Sequence, residues 1–212
     1  MDATVTVTNT EAVGPDTFSI SFETPAGFEA QPGQFVKLSA EIDGEGYARF
    51  YTISSPDTID DFETTIEVDP DESGPFSEHL AALSAGDAIE MSGPFGSDYY
   101  EGEARVVVLA GGPGIGPAVG IGERVVNDGG ELAIVYQDAD PAHEARLAEL
   151  DATGASVAIT DGSIGEAVDA AVTGRDDEQV FVYGFAEFVD EASAAIEAAG
   201  GDPEAMKVEN FG

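Results

Sequence analysis

Cysteine is absent from the 212 residues, which removes disulfides, thiolate catalysis and any iron–sulfur cluster held by this chain's own cysteines. Histidine is nearly absent. His79 and His143 lie far apart in sequence with no cluster of acids or histidines at ligand spacing around either, so both read as surface helix residues rather than metal ligands. Cations are scarce: seven Lys and Arg stand against 43 Asp and Glu, a net charge of −36. That balance argues against nucleic acid and anionic membrane as partners. A long apolar run is also missing, since the longest uncharged stretch, Val106 to Gly122, is broken by glycines and prolines and is short for a membrane span. The opening MDATVTVTNT has neither the basic start nor the apolar block of a secretory signal. The expectation is a soluble, cytoplasmic protein.

Such acidity often accompanies disorder, but here hydrophobic content is 42% and apolar residues recur with regular periods. The acid therefore belongs on a folded surface. A surface of that charge repels itself at low ionic strength and is relieved in molar salt, where screening acts within about 3 Å. The composition suits a halophile's cytosol.

The chain is organised around Arg105 to Pro117. Val106 to Ala110 is an unbroken β-branched and small apolar run, the pattern of a strand buried on both faces in the middle of a parallel sheet. Gly111, Gly112, Gly114 and Gly116 follow with two prolines, which reads as a tight turn whose backbone something approaches closely. Ala118 to Val126 then reads as a helix. Strand, turn and helix in that order set the turn at the carboxyl edge of a sheet, where α/β folds bind ligands, and offer helix N–H groups to a diphosphate.

Up to about residue 92 the period is two. Thr4–Thr8, Thr17–Glu23, Gln34–Ile42, Ala48–Ser54, Phe62–Val68 and Ala88–Ser92 read as six strands separated by Gly and Pro, an arrangement that predicts a small closed antiparallel barrel. A helix from Phe76 to Leu83, entered through Gly74-Pro75, interrupts them. After Gly93-Pro94-Phe95-Gly96 the pattern changes, and strands at 105–110, 131–136, 155–160, 179–184 and 206–209 alternate with helices at 117–127, 141–150, 164–173 and 186–199. That predicts a doubly wound parallel sheet of five strands. The expected domains are 1–98 and 103–212.

Two places in the first domain carry chemistry. Arg49 sits inside a strand in a chain with few cations, and a half-buried guanidinium needs a carboxylate or phosphate; Tyr51 falls on the same face and could lie against a flat ring. An ion pair with one of the many acids is the alternative. Gly74 to Ser77 offers a helix start with a hydroxyl, either an anion site or a simple capped helix.

Taken together these motifs resemble the ferredoxin–NADP reductase-like flavoprotein family along the whole chain. The residues concerned are Arg49 to Thr52 (R-x-Y-[S/T]), Gly74 to Ser77 (G-x-x-[S/T]), Gly93 to Gly96 (G-P-x-G), Gly111 to Pro117 (G-G-x-G-[I/T]-[A/G]-P) and Glu209 to Gly212 (E-x-F-G). Tyr183-Gly184-Phe185 stands where the family has C-G-P and has lost both Cys and Pro. Thr160 to Gly165 is similar to a D-G-S-x-G loop of dihydroorotate dehydrogenase electron-transfer subunits, whose cysteine-ligated cluster cannot exist here.

The resemblance implies an FAD-binding barrel joined to a domain for a nicotinamide nucleotide. It assigns Arg49 to the FAD diphosphate, Tyr51 to the isoalloxazine, Thr52 to the neighbourhood of flavin N5, and Phe50 to the same cofactor strand. Gly74, Phe76 and Ser77 would hold phosphate oxygens; Ile66, Glu67 and Val68 would line the flavin. Gly111, Gly112, Gly114, Ile115 and Pro117, with Tyr183, Gly184 and Phe185, would seat the nicotinamide nucleotide. Glu209 and Phe211 join Thr52 as the expected catalytic residues.

The activity implied is hydride transfer from NAD(P)H to FAD and electrons onward to a protein or small-molecule acceptor, ferredoxin among the candidates. The alternative is a non-catalytic nucleotide-binding sensor or an electron-transfer subunit of a larger complex. NADH is expected over NADPH, because Asp138, past the second parallel strand, can accept a ribose 2′-hydroxyl and repels a 2′-phosphate.

Overall fold

The computed structural model describes residues 1–68 and 74–211. Its first half is a six-stranded antiparallel sheet made of β1 (Asp2–Ala12), β2 (Thr17–Glu23), β3 (Phe35–Ile42), β4 (Glu45–Thr52), β5 (Asp61–Glu67) and β6 (Ala88–Phe95), with α1 (Pro75–Ala81) between the last two. Alternation places Val5, Val7, Ile20, Phe22, Val36, Leu38, Ile89 and Met91 in one buried cluster.

The closed barrel expected from the strand count is not what forms. The strand order is β4-β3-β6-β1-β2-β5, so β4 and β5 are free edges, and their link among the described residues is an isolated bridge from Ile53 to Thr64. The sheet is an open half-barrel. Its seam is wedged by α1, whose Phe76 and Leu80 are buried and whose Phe76 ring lies 6.5 Å from those of Tyr47 and Tyr51 on β4. Side chains take the place of a ladder there, and the exposed edge of β4 is kept polar by Glu45 and Arg49.

The second half is a parallel sheet of β7 (Arg105–Gly111), β8 (Glu131–Gln137), β9 (Ser156–Thr160), β10 (Glu178–Gly184) and β11 (Lys207–Asn210), in the order β11-β10-β7-β8-β9. Its helices are α2 (Ile115–Asn127), α3 (Glu144–Ala152), α4 (Gly165–Ala171) and α5 (Ala186–Ala198). As its sequence implied, β7 is central. Val106, Val108 and Ala110 pack in the core under α2 and α3, while Val107 and Leu109 pack in the core under α4 and α5. The chain reverses direction across the sheet between β7 and β10, which opens a crevice at their carboxyl ends.

The glycines after β7 form a tight turn, as expected. β7 runs through Gly111, a 3₁₀ turn covers Gly112–Gly114, and α2 starts at Ile115, earlier than the pattern indicated. What approaches these glycines is protein. A Cβ on Gly114 would stand 2.2 Å from the Tyr183 carbonyl, one on Gly116 would meet the Thr65 side chain at 2.6 Å, and one on Gly120 would meet the Ser54 backbone at 2.8 Å. The last two contacts cross between the halves, so one face of α2 is bare in order to dock on the antiparallel sheet.

Beside that dock, Arg146 of α3 donates to both carboxylate oxygens of Glu123 at 2.7 and 2.8 Å, to Glu63 at 2.8 Å and to the Ser54 carbonyl at 2.7 Å. His143 is also part of this junction, not the surface residue expected. It is 3% exposed, because its N–H is drawn across to the Val13 carbonyl at 2.8 Å and its ring to the Thr65 hydroxyl at 2.9 Å.

Alanine at Gly120 tests the dock. Helix propensity alone would favour the substitution by about 1 kcal/mol, but a methyl pressed on backbone forces the halves apart at a cost of about 1–3 kcal/mol. The clash should win, lowering the urea midpoint, whereas Gly46→Ala, with open space around its Cβ position, should leave the midpoint close to wild type.

Candidate functional site

A cleft of ≈ 680 Å³ lies where the two halves meet. β4, β5 and the start of α1 line one side; Pro113 and Pro117 after β7, Phe185 after β10, and Glu209, Asn210 and Phe211 at the chain's end line the other. The volume falls within the range of small-molecule sites, and the position is the crevice created by the strand reversal.

Arg49 is exposed at this cleft, and its Nη1 donates to the Ala48 carbonyl at 2.8 Å. Among the described residues it makes no ion pair, although the chain carries 43 acids and Arg105, Arg124, Arg146, Arg175 and Lys207 are all paired.

Tyr51 lies on the same side of β4. Burial pushes its phenol up to about 12, with the Ser77 hydroxyl and the Arg49 charge acting the other way. Ser77 therefore faces Tyr51 and does not cap its helix; the cap position is Gly74, with no side-chain hydrogen bond. The simple capped helix is not what the sequence builds.

Across the cleft floor the Thr52 hydroxyl donates to Glu209 Oε2 at 2.8 Å, joining strands from opposite halves. Burial raises the Glu209 carboxyl to about 7, against the pull of the Thr52 bond. A group with that affinity can hold or release a proton near neutrality. Phe185 and Phe211 meet edge to face at 6.1 Å, and Phe185 and Phe50 are 49% and 60% exposed, so large rings border the opening.

The cleft thus gathers Arg49, Phe50, Tyr51, Thr52, Ile66, Glu67, Gly74, Phe76, Ser77, Pro117, Phe185, Glu209 and Phe211. Other expected residues are not in its lining. Gly111 sits against the Phe188 ring, Gly112 takes a φ of 53°, and Gly114 and Ile115 are buried in the turn, with Pro113 and Pro117 presented in their place. Tyr183 turns its ring into the core beside Phe181, Gly184 lies under Phe188, and Val68 packs against the first core.

Asp138 stands past the end of β8, accepting from the Tyr136 hydroxyl and the Asp140 N–H, both at 2.9 Å. Gly212 falls outside the described residues. Sequence reading missed Tyr47, Thr65 and Asn210. Tyr47 was recoverable, since alternation puts it on the face of Arg49 and Tyr51. Thr65 carried no signal, because its role depends on how the other half docks. Among the described residues there is no group of three metal-ligating side chains and no helix long and apolar enough to cross a membrane.

Residues 4–100 match the family described as oxidoreductase FAD-binding domain. The chain is 30% identical over 149 residues to NADH-cytochrome b5 reductase 1 of Laccaria bicolor, covering 66% of this chain and 48% of that protein. It is 37% identical over 95 residues to the probable dihydroorotate dehydrogenase B electron transfer subunit of Methanopyrus kandleri, covering 45% of this chain and 33% of that one. The chain therefore spans about half or less of the length of these relatives. In fold it is similar to the flavohem-like FAD/NAD binding domain of the nitric oxide dioxygenase of Vibrio cholerae O1 biovar El Tor, with a TM-score of 0.83 at 19% identity, over 99% of this chain and 98% of that one. Residues 4–100 are thus similar to the oxidoreductase FAD-binding domain family, and the whole chain has the fold of the Vibrio cholerae FAD/NAD binding domain.

Proposed function

We propose that this chain takes hydride from NADH onto a bound FAD and hands the electrons to a separate acceptor. The observation that carries this reading is a cleft shared by two halves in which Arg49, with no ion pair among the described residues, stands beside a half-buried tyrosine ring. FAD, when bound, supplies the chemistry of accepting a hydride and releasing it as electrons singly or as a pair.

The chain's own residues do the rest. Arg49, without an ion pair among the described residues, neutralises phosphate charge. Tyr51 gives a flat face, and Thr52 holds a hydroxyl at the cleft floor with Glu209 storing a proton at its oxygen. Phe50, Phe185 and Phe211 shield the opening from water. Phe185 and Phe211 take over the packing that a cysteine at Tyr183 would share. The acceptor remains open to a protein such as ferredoxin or a cytochrome and to a small molecule. High salt would let an acidic partner approach so acidic a surface.

Purification in molar KCl followed by titration with FAD tests the reading. The wild type should take up FAD and turn yellow, and a chain that stays colourless contradicts it. Arg49→Ala should weaken FAD binding by about 1.5–3 kcal/mol, the loss of a charge-assisted bond to phosphate.

The choice of NADH rests on two side chains. Asp138 retains lone pairs for a ribose hydroxyl and repels a phosphate. Arg146, the one cation near enough in sequence to counter it, is fully engaged with Glu63, Glu123 and Ser54. Steady-state flavin reduction in high salt should give a higher kcat/KM for NADH, and a higher value for NADPH would show that the ribose lies elsewhere.

A further inference from the structure

The junction between the halves contains a histidine that the proposed chemistry does not use. His143 precedes α3 with a φ of 55°, a conformation uncommon outside glycine, and its backbone N–H is held by the Val13 carbonyl of the other half at 2.8 Å. The contact that turns its ring to one target is at the far end, where Nε2 lies 2.9 Å from the Thr65 hydroxyl. Nδ1 is buried and has no hydrogen-bond partner among the described residues.

These facts decide the tautomer. A buried N–H with no acceptor costs more than a buried bare lone pair, so the single proton of a neutral ring belongs on Nε2, directed at Thr65. Burial, with the Arg146 charge nearby, drives the imidazole down to about 3, so the ring is neutral at ordinary pH. Thr65 then accepts from His143, and its own proton is left for another partner. Thr65 is 7% exposed and lines the cleft from β5.

We propose that His143 is a positioning residue, which by donating from Nε2 across the junction fixes the Thr65 hydroxyl so that its proton is offered into the cleft, to an acceptor atom of the flavin. The proposal rests on the reading of that cleft as the FAD site. It makes cofactor binding sensitive to the docking of the second half, because the donor that orients Thr65 comes from α3's side of the junction.

The test combines FAD titration of the full chain in high salt with ¹⁵N NMR of the imidazole. In wild type without FAD, the proton should be found on Nε2. Thr65→Val and His143→Leu should each weaken FAD binding by about tenfold, the worth of one buried hydrogen bond. The double variant should bind no more weakly than either single one. His143→Gln, whose amide can donate to Thr65, should stay within about twofold of wild type.

A merely structural histidine would lower the urea midpoint in His143→Leu while Thr65→Val kept wild-type affinity. That result, additive losses in the double variant, or a proton on Nδ1 would each overturn the proposal. If wild type takes up no FAD, the flavin reading falls and this proposal with it. Uptake by wild type with no effect of Thr65→Val overturns the positioning role alone.

Discussion

Everything functional in this molecule depends on how one face of α2 lies against the backbone of the antiparallel sheet. The cleft has no wall of its own: Arg49, Tyr51 and Thr52 come from one half, and Phe185, Glu209 and Phe211 from the other. The Thr52–Glu209 bond exists only while the halves hold register to within a fraction of an ångström. Gly116 and Gly120 set that spacing because any side chain there would strike Thr65 or Ser54. Arg146 then locks it. Burial works against its guanidinium, but Glu123 and Glu63 outweigh that and hold it charged, and the Ser54 carbonyl satisfies a further donor. With two carboxylates converging on one buried cation, loss of the cation would leave them facing each other.

The composition and the site are two aspects of one constraint. In a chain with seven cations, each is a scarce resource, and Arg105, Arg124, Arg146, Arg175 and Lys207 are committed to ion pairs. Lys207 ties the segment between the sheets, reaching the Tyr99 carbonyl, Glu101 and Glu103. Against that background an arginine in a cleft with no ion pair among the described residues is informative. Acid crowding elsewhere is tolerable where salt screens it.

The parallel sheet was legible because β7 is an unbroken apolar run whose alternate residues feed two cores, a pattern with few other solutions. The six antiparallel strands were legible from their period of two. Closure was not, because a strand count says nothing about whether the first and last edges meet. At that seam the Phe76 ring of α1 lies beside Tyr47 and Tyr51 of β4, a contact between distant residues that the period of two does not reveal.

The glycines after β7 were legible as a tight turn closely approached, but that Tyr183 and Thr65 are what approach Gly114 and Gly116 depends on distant parts of the chain. His143 shows the same limit. Nothing in its neighbours forecasts burial, since the groups that bury it, Val13 and Thr65, lie far away in the chain.

The central claim is that the two halves meet so that a nicotinamide can deliver hydride to a flavin held by the first. The direct measurement is anaerobic mixing of the FAD-loaded protein with NADH in molar KCl, following visible flavin absorbance. The account predicts loss of that absorbance and its return when an electron acceptor is admitted. Persistent colour in a chain shown to hold FAD would mean that the cleft binds a nucleotide without performing the transfer, and would contradict it.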